Sequence, residues 1–160
     1  MISDSVSNAI EIRTQKGKTL LHLQEGGYAI SNGLLSISVS AELSDEDREN
    51  DDIWPEYGAI AIESASLTKQ LEEGDVFECH GGMDNNDDDV TPRAHGYFGF
   101  HVEDIKLRWT VISVLHDVCR FQLEAIHDDP DYYDEREKPS PTTGDFLLKK
   151  CEVEELWMPC

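Results

Sequence analysis

The stretch "GLLSISVSAEL", Gly33 to Leu43, alternates with a period of two. Leu35, Ile37, Val39 and Ala41 take one set of positions, and Ser36, Ser38 and Ser40 take the other. A helix would scatter these residues around its axis, whereas an extended chain puts each set on its own face. The pattern therefore predicts a half-buried strand. The same period governs "DIKLRWTVISVL", with Ile105, Leu107, Trp109 and Val111 opposing Lys106, Arg108 and Thr110. It returns in "CRFQLEAI", where Cys119, Phe121, Leu123 and Ala125 alternate with Arg120, Gln122 and Glu124. A short turn around His116 and Asp117 would join the two runs, so 105–126 reads as a long β-hairpin. The segment has no Gly or Pro to forbid a helix. Its β-branched residues Thr110, Val111, Ile112 and Val114 favour the strand.

Shorter strands are expected at 9–14, 18–24, 58–66, 74–80, 96–103 and 145–157. They are punctuated by Gly26-Gly27, Asn32-Gly33, Gly58, Gly74, Gly81-Gly82 and Gly144. "ASLTKQLEEG", 65–74, is a candidate for one short helix ending at Gly74. About eight strands and at most one or two short helices predict an all-β or β-rich α+β fold, an antiparallel β-sandwich or open barrel. A chain of 160 residues is expected to form a single β-rich domain, 1–160, large enough to fold without disulfides or metal.

Charge restricts function more than any motif. The chain has 34 acidic against 13 basic residues, a formal net charge of -21. A charge of magnitude about 2–8 suffices for the solubility of a small domain, and the excess works against folding by self-repulsion. Nucleic acid and anionic membranes would be repelled, which leaves a cationic protein as the expected partner. The acidity gathers in three loops. Residues 42–52 hold seven acids and one base; 84–89 hold four acids; 127–145 hold seven acids, Arg136 and Lys138. Such stretches bury too little apolar surface to pack, so they are expected at the surface.

Metal and catalytic chemistry fit less well. An EF-hand frame from Asp84 takes Asp84, Asn86 and Asp88, then meets Asp89 where Gly is needed and His95 where Glu is needed. A frame from Asp45 takes Asp45, Asp47, Glu49 and Glu56, but Trp54-Pro55 would interrupt its exiting helix. A β-sandwich can also gather Ca²⁺ between loops at one end, as the lipid-binding C2 domains do, and a Ca²⁺-binding module is the alternative expectation. Cys79, His80, His95 and His101 are zinc-type ligands, yet adjacent Cys79 and His80 on a strand would face opposite ways. Gly17-Lys18-Thr19 resembles the end of a P-loop, but Ile12 stands where its first Gly belongs. Neither a GxSxG nor a local cysteine-nucleophile signature occurs. Cys79, Cys119, Cys151 and Cys160 match no CxxC pattern. With no basic start followed by an apolar run, and no long apolar span, the expectation is a cytoplasmic protein with free thiols.

In composition and size the chain resembles small acidic immunity proteins of bacterial toxin systems, and acidic inhibitors that phages make against host defence. That likeness implies a non-enzymatic protein without cofactor, which covers the cationic site of a basic protein such as a bacterial toxin or nuclease. It rests on charge and length and assigns no residue. The residues expected to make the contact come from the acidic loops themselves: Asp84, Asp87, Asp88 and Asp89, then Asp128, Asp129, Asp131, Tyr132, Tyr133 and Asp134. Trp54, in "DDIWPEYG", is a candidate aromatic anchor.

Overall fold

The computed structural model describes residues 6–14, 17–50, 53, 55–81, 92–98, 105–128 and 139–156, without the side chains of Thr14, Asp128, Pro139 and Ser140. Among the described residues, nine strands form one closed barrel. They are β1 Ala9–Thr14, β2 Gly17–Ser31, β3 Leu34–Glu42, β4 Tyr57–Ser66, β5 Val76–Gly81, β6 Arg93–Tyr97, β7 Ile105–Leu115, β8 Val118–Asp128 and β9 Pro139–Lys149. Their order around the barrel is β1-β2-β3-β4-β6-β5-β7-β8-β9, and β9 pairs back to β1. The all-β expectation holds, and of its two architectures the chain adopts the barrel.

Period-two patterning explains why the sheet closes. Trp109, Phe121, Phe146, Ile10, Ile12, Leu21, Leu35, Ile37, Ile60, Ile62 and Ile105 are fully buried and fill the interior. Lys106, Arg108, Gln122 and Glu124 alternate with the inward set on β7 and β8 and are exposed. The barrel is thus apolar inside and polar outside, the reverse of a membrane-spanning barrel. The expected hairpin is β7–β8, turning at His116-Asp117. Asn32 and Gly33, at φ 54° and 75°, form the β2–β3 turn. Asn-Gly is the pair that such a two-residue turn favours, because both positions need positive φ.

Several expectations are corrected. β3 is not half-buried: Ser36, Ser38 and Ser40 are buried too, nearly as deeply as the apolar set between them. Small hydroxyls let other chain segments close over that face. Ser36 Oγ accepts from the Ser64 N–H at 3.0 Å, and Cys151 and Leu156 lie over Gly27 on the neighbouring strand. β2 continues through Gly26-Gly27 to Ser31 instead of ending near residue 24, since those glycines serve close approach there. Residues 65–74 form no helix. β4 runs to Ser66 and the chain then turns irregularly to Asp75. The i, i+4 pair Leu67 and Leu71 imitates a helical face, but both pack on the barrel core. The Asp75 carboxylate accepts from Lys69 Nζ at 2.9 Å and from the Glu72 N–H at 2.9 Å, a local alternative to helical bonding. The expected strands at 96–103 and 145–157 correspond to β6 and β9, which begin earlier, at Arg93 and Pro139, and β9 ends at Lys149, after which Val153–Glu155 form a short 3₁₀ turn instead of more strand.

Candidate functional site

Strand direction assigns each connection between antiparallel strands to an end of the barrel. Neighbouring strands are antiparallel except β5 and β6, which share one parallel bridge, Gly81 to Ala94. One end therefore carries the β1–β2, β3–β4, β6–β7 and β8–β9 connections, and the chain also leaves β5 at that end before it re-enters the sheet at the start of β6. The other carries the Asn32-Gly33 turn, residues 67–75, the His116-Asp117 turn and the chain after β9. Gly81 pairs with Ile105, Ile105 with His127, and His127 with Ser140. All three acidic segments thus leave from strand ends on a single rim. Asp84, Asp87, Asp88, Asp89, Asp129, Asp131, Tyr132, Tyr133, Asp134 and Trp54 lie outside the described residues, as do His101 and Cys160. Asp128 is described only as the last backbone position of β8. The third acidic segment is shorter than expected, because Asp145 belongs to β9. There it receives Arg120 through two contacts, at 3.0 and 2.6 Å.

The described part of the rim begins at β3. The Leu43 N–H donates to the Glu56 carbonyl at 2.9 Å and pinches the base of the β3–β4 connection. Ser44 caps the single helical turn α1, Asp45–Arg48, by accepting from the Asp47 N–H at 3.2 Å. Asp45, Glu46 and Asp47 occupy this first turn, where carboxylates are favoured. Arg48 bonds Glu42, so the stretch from Glu42 to Asn50 sets five acids against one base. The EF-hand frame from Asp45 fails here, because its first ligand positions are wound into α1.

Beside this stretch, Tyr57 and Tyr97 meet edge to face with centroids 6.2 Å apart. Burial, followed by Glu42 and Glu25, pushes the Tyr57 phenol up against a Ser40 hydrogen bond that pulls it down. Further along β6, His95 Nε2 lies 3.1 Å from Glu63 Oε1. Inside the same rim, His127 Nε2 sits 2.6 Å from Thr142 Oγ1 and its ring stacks on Phe98 at 4.5 Å. Phe98, His127 and Thr142 are all buried and fill the barrel at this level. Sequence reasoning missed these three pairs. The partners of each lie 15 to 40 residues apart, and only the register brings them together.

No three His, Cys, Asp or Glu side chains converge among the described residues. Cys79 packs against the core while His80 on the next position is exposed. Gly17-Lys18-Thr19 opens β2: Lys18 pairs with Glu11 at 3.3 Å and Thr19 is buried. Cys79, Cys119 and Cys151 are free thiols. No helix among the described residues is long and apolar enough to cross a membrane. Comparison with protein-family models, curated proteins and solved structures finds no match.

Proposed function

We propose that this chain is a non-enzymatic acidic binding protein that neutralises or regulates a basic protein. It acts in the manner of toxin-immunity proteins or inhibitors, by covering a cationic cleft with one end of its barrel. The observation that carries the reading is the common rim from which all three acidic segments leave. Charge collected at one end steers encounter and sets orientation, whereas the same charge spread evenly would only repel. The filled barrel gives such a rim a packed base, which limits the ordering cost on association. Free thiols support a reducing, cytoplasmic setting. Asp84, Asp87, Asp88, Asp89, Asp128, Asp129, Asp131 and Asp134 supply the charge, and Trp54, Tyr132 and Tyr133 the aromatic contacts.

The test compares two charge-matched variants against a basic pancreatic ribonuclease as probe, by calorimetry at low salt. Asp87, Asp88 and Asp89 changed to Asn should weaken binding several-fold. Glu152, Glu154 and Glu155 changed to Gln, at the other end, should leave it unchanged. Equal losses from both would mean that only net charge matters, and the reading would fall. Titration of Ca²⁺ into the same samples adds a separate arm. Micromolar binding abolished by the first variant would make the rim a cation site instead.

A further inference from the structure

The opposite end of the barrel holds a groove of about 560 Å³ between residues 67–71 and the β7–β8 turn. That volume suits a small organic ligand. Ile30, Leu67, Leu71 and Val114 form its apolar wall. Its polar groups are unusual for so acidic a chain. Lys150 lines it and makes no ion pair among the described residues, although acids outnumber bases by 21 along the chain. Tyr28 lines it as well, only 2% exposed. Its ring is held edge to face on Phe121 at 5.5 Å, and its hydroxyl has no hydrogen-bond partner among the described residues. Trp109 Nε1 is the one fully buried side-chain polar atom without a partner among the described residues, so the Tyr28 hydroxyl is not sealed off and can donate to a molecule in the groove. Burial pushes this phenol up to about 12, with Cys119 and Asp117 adding to the shift, so at neutral pH it stays a donor.

An ammonium and a phenol donor beside an apolar wall match an oxyanion with an apolar body. The charge count narrows the class. Lys69 also lines the groove, but it is taken by Asp75 at 2.9 Å and by Glu72 at 3.6 Å. Asp117 adds a negative charge at the margin. One uncommitted ammonium against one flanking carboxylate suits a monoanion and disfavours a dianion such as a phosphate monoester. We propose that this groove binds a small amphipathic carboxylate, an acyl or aryl acid. Its carboxylate would accept from Lys150 Nζ and the Tyr28 hydroxyl, and its apolar body would lie on Ile30, Leu67, Leu71 and Val114. The proposal is independent of the acidic rim.

The experiment titrates sodium octanoate into the isotope-labelled full chain and follows backbone amide shifts. Saturable shifts are expected at Ile30, 67–71, 114–117 and Lys150. Tyr28→Phe keeps the ring and Lys150→Gln alters an exposed side chain, so both variants should fold. Each should weaken binding about tenfold, as should replacing octanoate by 1-octanol. Lys18→Gln, on the other end, should change nothing. The proposal is overturned by the absence of saturation up to about 10 mM, by shifts centred elsewhere, or by octanol binding as tightly as octanoate.

Discussion

The buried thiols and Tyr28 show how strongly single side chains depend on their surroundings. Burial pushes Cys79 and Cys119 from 9.0 up to about 12, and Tyr28 from 10.0 up to about 12. The native state therefore favours their neutral forms. In the unfolded chain these groups ionise near 9 and 10, so unfolding releases protons across that range. Stability should be full below pH 9 and fall progressively as pH rises to 12. Urea midpoints measured from pH 8 to 11.5 should trace that decline, and a flat profile would contradict the burial. At pH 8 a thiol reagent should modify Cys119 only as fast as the protein opens. His116 offers a second test. Its φ of 56° occupies the first central position of the β7–β8 turn, where glycine is at ease and a side chain is strained. His116→Gly should raise stability by up to about 1 kcal/mol in denaturant titration; a loss would show that the imidazole makes contacts outweighing the strain. The Asn32-Gly33 turn was legible from its two residues alone. The His116 turn was legible in position but not in strain, because nothing in "LHDV" requires positive φ.

Among the elements, β5 and β6 form the thinnest joint. Gly81 touches the Ala94 backbone, and a Cβ placed on Gly81 would sit 2.3 Å from the Ala94 carbonyl oxygen. Gly81→Ala should therefore force the two strands apart. A loss of about 1–3 kcal/mol is expected, as for overpacking elsewhere in a fold. Amide exchange should accelerate at Gly81, Ala94 and His95 before it does so on β8. Exchange that stays uniform would show the joint to be no weaker than the rest. Strands were readable wherever apolar and polar residues alternate, as on β7 and β8, since the pleat maps sequence parity onto the faces. β3 was readable as a strand but misread as half-exposed, because serine is equally at home under a covering segment. The helix expected at 65–74 failed because Leu67 and Leu71 reach the core from an irregular chain that Asp75 organises. β6 was placed only in part, because its five residues span less than two and a half periods of alternation.

At the scale of the whole molecule, self-repulsion among charges summing to -21 should weaken the fold at low ionic strength. The Debye length shrinks from about 30 Å at 0.01 M salt to about 3 Å at 1 M. Melting temperature should climb by several degrees over that range and level off as screening becomes short-ranged; a fall would mean that specific ion pairs outweigh the repulsion. The acidic loops were visible in the sequence, but their common rim was not. That depends on the direction of every strand between them, which composition does not encode. The pairing of β1 with β9 places the sheet's first and last strands side by side, with the Leu147 N–H donating to Asn8 Oδ1 at 2.9 Å across 139 positions. Closure must then wait until β9 has been made. While the chain is being made, β1 and β8 each keep an open edge that can recruit strands from other nascent copies. At roughly 5–20 residues per second that exposure lasts for seconds, and over it the carboxylates give growing chains a mutual repulsion that holds those edges apart.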